Sequence, residues 1–322
     1  MEGSVRSSGD KVRITTQLID AVKGQHIWAK NYDHNFGNIL NIHDDISLNI
    51  AQNLMIKLTD GEQARMLLDE YKNPDVFYKN LEAFSHFRKQ TREDLKRFGQ
   101  LAQEIVDIEP ESPMGYRMLG FYHKSLVEWG VSRKKNLKKA FEYAKKVFSL
   151  NENDPFTHSL MCSLYYIIRE YEKAITSGNR AIELQPSGSV AHFALGRALC
   201  YAEQYDEAIA HCKQAIRLDP IPAHYYFYYL GLCYWANGQY EEALIEYNKA
   251  QQGAPDFAAT HLMLAVVYTL LDREEEARTS AVKALDLDPK LSVSYIKNYW
   301  RFKTQDGLPV FNDAMRKAGF PE

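Results

Sequence analysis

Along most of the chain, small and apolar residues return with helical spacing inside a longer period. Ala174 and Ala181, Ala208 and Ala215, Ala243 and Ala250, and Ala277 and Ala284 stand seven apart in pairs, on one face of a helix. Small side chains there let neighbouring helices approach closely. Pro186, Pro220, Pro255 and Pro289 close these stretches at intervals of 34, 35 and 34 residues. Proline lacks an N–H and keeps the residue before it out of helix, so each marks the end of one helical unit. Twelve residues before each first alanine, a small residue follows an apolar one: Met161-Cys162, Leu195-Gly196, Leu230-Gly231 and Leu264-Ala265. Three positions on come Tyr165, Leu199, Tyr234 and Tyr268. The pattern predicts antiparallel helix pairs over about 113–154, 155–188, 189–223, 224–257 and 258–291. Turns fall near Glu203-Gln204, Asn237-Gly238 and Asp272-Arg273. A fixed period near 34 is the mark of a helix–turn–helix repeat array. Gly196 and Gly231 should sit where helices touch with no room for a side chain.

The edges of the array are less regular. Residues 79–112 read as a worn first repeat that keeps Ala102 and Pro110 but carries Phe98 in place of alanine. The second repeat is eight residues too long, and the excess is assigned to a loop at Glu128-Trp-Gly-Val-Ser-Arg-Lys-Lys135. Leu291–Trp300 and Leu308–Ala318 read as capping helices that cover the last repeat. Residues 1–58 alternate instead of following a helical period. Gly3–Arg6, Lys11–Ala21 and His26–Asp33 read as strands, the third with Trp28 and Tyr32 on one face. Ile39, Ile42, Ile46, Ile50 and Leu54 then form a helical stripe over 38–58. Gly61–Lys72 is a charged helix ended by Asn73-Pro74. The domain limits are therefore 1–58, a 59–78 linker helix, the 79–291 array and a 292–322 cap. Three strands and a helix make a poor independent core. The first strand is an unpaired edge, for which we expect either poor order of the first few residues or strand pairing between two copies of the chain as a homodimer.

The phrase Tyr205-Asp-Glu-Ala208 … Ala215-Ile-Arg-Leu-Asp-Pro220 and its echoes resemble the tetratricopeptide repeat (TPR). That resemblance implies a mainly α, right-handed α–α superhelix of about six repeats, preceded by a small, incomplete α/β fragment. It also implies that a partner protein or peptide lies in the concave groove lined by the first helices. The matching positions hold Phe121, Phe156, Tyr166, Phe193, Arg197, Tyr225, Tyr228 and Trp235, with Met114, Arg117 and Lys124 beside them. Tyr, Trp and Arg are the side chains that anchor interfaces. We expect this face to be open and partly wet; the alternative is that its aromatics, with the run His224-Tyr-Tyr-Phe-Tyr-Tyr-Leu230, pack on neighbouring repeats or on the chain's own domain. The Lys/Asn pattern of TPRs that grip a peptide C-terminus is not at the matching positions, which argues against a chaperone-tail adaptor. Glu2–Arg6, Val12–Asp20, Gly24–Trp28 and Tyr32-Asp33 are similar to the C-terminal half of the TolB-like domain that precedes TPR arrays in bacterial signalling proteins. The resemblance implies a C-terminal piece of a longer protein. It implies the regulatory and interaction region of a class III adenylate/guanylate cyclase-linked protein, or else the arm of a DNA-binding transcription regulator.

Composition narrows this further. The 322 residues carry a net charge of −3 and a pI near 6.4, which argues against a nucleic-acid partner. There is no apolar run of membrane-span length. Cys162, Cys200, Cys212 and Cys233 fall inside helices without metal-knuckle spacing, as small buried residues of a reducing, cytoplasmic setting. His34, His43, Asp44 and Asp45 lack the convergent spacing of a metal site, and His158, His192 and His261 recur at the packing position of their repeats. Lys134, Lys135, Lys138 and Lys139 form a solvated basic face. No phosphate loop, nucleophile elbow or His-Glu-x-x-His is present. The chain reads as a non-catalytic scaffold, with no cofactor or metal expected.

Overall fold

The computed structural model describes residues 2–8, 11–19, 26–35, 73–219, 221–297 and 301–322. It divides into two compact units, Met1–Pro74 and Asp75–Glu322. In the first, β1 (Glu2–Ser8), β2 (Lys11–Ile19) and β3 (His26–Asn35) form an antiparallel sheet in that order. Ser8 stands opposite Lys11, Ile14 opposite Tyr32 and Leu18 opposite Trp28. β1 is an edge of this sheet. The stripe over 38–58 and the charged helix over 61–72 lie outside the described residues, as do His43, Asp44 and Asp45; His34 is in β3.

Six helix pairs build the second unit. They are α1 (Pro74–Lys89) with α2 (Arg92–Ile108), α3 (Pro113–Glu128) with α4 (Arg133–Leu150), and α5 (Pro155–Ile167) with α6 (Tyr171–Leu184). Then come α7 (Ser189–Tyr201) with α8 (Tyr205–Leu218), α9 (His224–Ala236) with α10 (Tyr240–Gly253), and α11 (Ala258–Leu270) with α12 (Glu274–Leu287). Two more, α13 (Val293–Lys297) and α14 (Leu308–Ala318), close the chain. No strand occurs among the described residues of 113–291.

The repeat is legible atom by atom. All eight paired alanines are buried at the helix contacts. In each regular pair one turn residue, Arg169, Glu203, Gly238 or Asp272, takes a left-handed φ between 55° and 74°. The next residue's N–H then bonds the carbonyl of Tyr165, Leu199, Tyr234 or Tyr268, at 2.9 Å every time. These are the backbone bonds that finish a helix through a left-handed residue. The recurring histidines tie the next joint. The Nε2–H of His192 donates to the Pro186 carbonyl at 3.0 Å, and that of His261 to Pro255 at 2.7 Å. His158 reaches Glu152 in the same way at 3.2 Å.

A Cβ on Gly196 would lie 2.7 Å from Cys212 Sγ, and one on Gly231 would lie 2.9 Å from the Tyr247 ring. Gly231→Leu is expected to cost about 1–3 kcal/mol by overpacking. A variant melting at the parent's temperature would contradict this register.

The eight extra residues of the second repeat are not a loop. The regular first and second helices have 13 and 14 residues, whereas α3 has 16 and α4 has 18. Three residues lengthen the first helix, four the second and one the turn. The insertion is almost one extra helical turn on each helix, and α3 ends on Glu128. Phe98, in place of alanine, is buried 4.8 Å from Phe87.

The C-terminal residues do more than cap. α14 packs on α11 and α12, and its Phe311 lies 5.3 Å from Trp235. Before it, residues 301–304 run back as a strap to the third and fourth repeats. Tyr171 donates to the Arg301 carbonyl at 2.7 Å, and the Lys303 N–H donates to the Tyr201 carbonyl at 2.8 Å. Thr304 gives both its N–H and its hydroxyl to Glu203, at 2.7 and 2.9 Å. Phe302 wedges between Tyr201 and Trp235.

Candidate functional site

The groove positions chosen from the repeat pattern fall on the inner helices α3, α5, α7 and α9, but they do not form one open face. Tyr166, Phe193, Arg197 and Trp235 are buried by the chain's own atoms, at 0, 8, 3 and 6% exposure. The expectation of a wet surface fails for these four. Two features fill the space. The added turn of α3 carries Glu128 over Tyr166 and Arg197, and the strap with α14 covers Trp235. Phe121, Phe156, Tyr225 and Tyr228 remain half-buried. Phe156 is engaged too, with the Arg117 guanidinium 4.6 Å above its ring and Arg117 paired to Asp154 at 2.5 Å.

Phe121, Tyr225 and Tyr228 line a cavity of about 300 Å³. Its wall takes Phe87 from the end of α1, Phe121, Lys124 and Glu128 from α3, and Phe193 and Arg197 from α7. Tyr225, Tyr228 and Tyr229 from α9 and Arg301 from the strap complete it. The first repeat thus faces the fifth across the cavity, and Arg88 at the end of α1 is ion-paired at 3.3 Å with Asp219, which caps the end of α8 in the fourth repeat. The aromatic run that opens α9 is explained here. Phe193 stacks on Tyr226 at 4.4 Å, and Tyr228 packs on Tyr247 and Phe257 at 5.7 and 5.6 Å. A helix with rings all round has partners on several sides.

At the floor, one carboxylate gathers the donors. Glu128 Oε1 accepts from Arg197 Nη2 at 2.6 Å and from the Tyr166 hydroxyl at 3.0 Å, while Lys124 Nζ lies 2.8 Å from Oε2. Arg197 also donates to the Tyr229 hydroxyl at 2.8 Å and lies 3.9 Å from that ring's centroid. Burial alone would raise the Glu128 pKa, but Lys124, Arg197 and Arg301 pull it far below the usual carboxylate range. Burial pushes the Lys124 amine down, and Glu128 opposes that shift. Burial pushes the phenols of Tyr225, Tyr228 and Tyr229 up, so they stay protonated donors at neutral pH.

Sequence reasoning placed Lys124 beside the groove and singled out the aromatic run that holds Tyr229, but it missed Glu128 and Arg301. The available signal for Glu128 was its position four residues after Lys124, where a continued helix would pair them. Arg301 had no such signal, because nothing periodic reports where the strap returns. The four cysteines are free and buried. Among the described residues no group of acidic, histidine and cysteine side chains could hold a metal ion, and no helix is long and apolar enough to cross a membrane.

Residues 193–256 and 258–291 match family models described as tetratricopeptide repeat. With the six helix pairs above, the fold is a TPR superhelix preceded by the small sheet. Such arrays present extended concave surfaces that bind proteins. Among curated proteins, "Putative adenylate cyclase 3" of Rhizobium meliloti (strain 1021) is 26% identical over 179 residues, which is 54% of this chain and 30% of the relative. "Transcriptional regulator HilA" of Salmonella typhimurium (strain LT2) is 22% identical over 298 residues, 91% of this chain and 53% of the relative. The chain therefore spans between 30% and 53% of the length of these two relatives. The crystal structure of YrrB, "a TPR protein with an unusual peptide-binding site", superposes with a TM-score of 0.40 at 19% identity, covering 59% of this chain and 93% of its own.

Proposed function

We propose that this chain is a non-catalytic scaffold that holds a segment of a partner protein in the concave cavity between α1, α3, α7 and α9. The observation that carries the reading is the cavity itself. Phe121, Tyr225 and Tyr228 stay half-buried and offer ring area, while donors fixed by the fold converge beneath them. Rigid aromatic anchors over oriented polar groups are what hot spots are made of. The parent protein in this reading is a bacterial signalling protein of the adenylate-cyclase kind, with this chain as its cytoplasmic interaction region. The match to the Rhizobium protein and the TolB-like strand phrases support it. A second reading, the interaction arm of a DNA-binding regulator, is favoured by the match to HilA over 91% of the chain. The edge strand β1 is where a second copy would add.

Selection of phage-displayed peptides on the immobilised chain tests the groove. Phe121→Ala and Tyr228→Ala should each weaken a selected peptide by about 1–3 kcal/mol while leaving the melting transition cooperative. Peptides that bind both variants as well as the parent would place the interaction elsewhere. The coding sequence upstream separates the two parents, since one requires a cyclase domain and the other a DNA-binding domain.

A further inference from the structure

We infer that the cavity is built to receive an acidic side chain, so that the partner segment carries an Asp or Glu next to an apolar residue. The inference deepens the groove reading and rests on it. Three cations, Lys124, Arg197 and Arg301, come from three separate elements and line one cavity with a single carboxylate, Glu128. Glu128 is shared by Lys124 and Arg197. Among the described residues, Arg301 has no carboxylate within ion-pairing distance. Two positive charges are therefore left over in a half-open cavity whose floor cations Lys124 and Arg197 are only 7 and 3% exposed.

The donors are also unsaturated. Arg197 is 3% exposed, and its Nε is buried without a hydrogen-bond partner among the described residues. A guanidinium presents five N–H donors and an ammonium three. Burying such charges without full compensation is costly. A second carboxylate lowered into the cavity would meet Arg301, the spare donors of Arg197 and Lys124, and protonated tyrosine hydroxyls. That is the arrangement in which a buried ion cluster becomes favourable.

Shape points to a side chain of a polypeptide. The cavity is at the small end of ligand pockets. Gln90, Glu128, Trp129, His224, Tyr228 and Arg301 also line a wider groove of about 1260 Å³. An extended segment lying in the wider groove reaches the cavity with one residue, while Phe121 and Tyr228 pack its apolar neighbour.

The experiment uses the same phage selection on the full chain, read for composition, followed by fluorescence anisotropy. We expect selected peptides to share one acidic position. Replacing that residue by its amide should weaken binding about tenfold or more, and raising salt should weaken the acidic peptide more than the amide. Arg301→Gln should lose affinity for the acidic peptide and bind the amide peptide as the parent does. That variant should still fold, since it removes a cation that makes no direct ion pair among the described residues and leaves the backbone bond to Tyr171 intact. Peptides that bind without an acidic position overturn the inference and leave the groove reading standing. Equal loss of both peptides in Arg301→Gln overturns it as well. Displacement of the acidic peptide by millimolar inorganic phosphate would reassign the cavity to a free anion. If the parent chain selects no peptide at all, both readings fall together.

Discussion

Glu128→Gln is expected to destabilise the second unit by about 3–5 kcal/mol, the typical cost of removing one partner from a buried ion cluster. The amide keeps the shape of the side chain and a hydrogen bond to Tyr166. It leaves Lys124, Arg197 and Arg301 facing one another with no counter-charge. Most of the loss is the repulsion and desolvation of those cations, so a second substitution at Arg301 should restore part of it. Thermal melts of Glu128→Gln, Arg301→Gln and the double variant form the test. Additive effects would mean that the cations do not sense Glu128.

The same pair of measurements has a pH signature. The folded-state pKa of Glu128 lies below its unfolded value, so its contribution is complete above the unfolded carboxylate range and is lost as pH falls through the acid range towards the folded pKa. The parent should therefore lose its advantage over Glu128→Gln on acidification, and a constant difference at all pH values would contradict the assignment.

Trp235→Ala is expected to cost about 3–5 kcal/mol, as a large buried aromatic does when truncated. The groove pattern alone would make it a binding anchor that could be trimmed with little effect on the fold. In the structure its ring is 6% exposed and meets Phe302 and Phe311 at 6.1 and 5.3 Å. The cavity left behind loosens the strap. Trypsin should then cut after Arg301 or Lys303 faster than in the parent, because the Lys303 N–H bond to Tyr201 opens more often. A parent-like melting temperature with unchanged cleavage would restore the binding role.

These two residues mark where reading by period works and where it stops. The alanine pairs, the tight glycines and the closing prolines were legible because they report contacts within a repeat or to the next one. The pairing of Glu128 with Arg197 spans 69 positions, and that of Tyr171 with Arg301 spans 130. No short-range pattern encodes such distances. The insertion misled for a related reason. Trp129-Gly130 looks like a break, yet the surplus residues extend α3 and α4, since helix continues wherever its apolar side finds cover. Phe121 and Tyr228 stay half-buried, as the groove pattern leads one to expect, but the wall that α1 and the strap contribute beside them was invisible.

The lacing of distant repeats also sets how this molecule responds to force. An ordinary solenoid behaves as a spring, extending and unpeeling one repeat at a time because each touches only its neighbours. Here Thr304 on Glu203 and Arg88 on Asp219 stitch together parts of the array that are far apart along it, at separations of 101 and 131 residues. Pulled from its ends, the coil should stay stiff until a stitch parts and then lengthen abruptly by several repeats at once. The same long-range closures must form before the array is complete on folding, which slows it relative to an unlaced array of equal length.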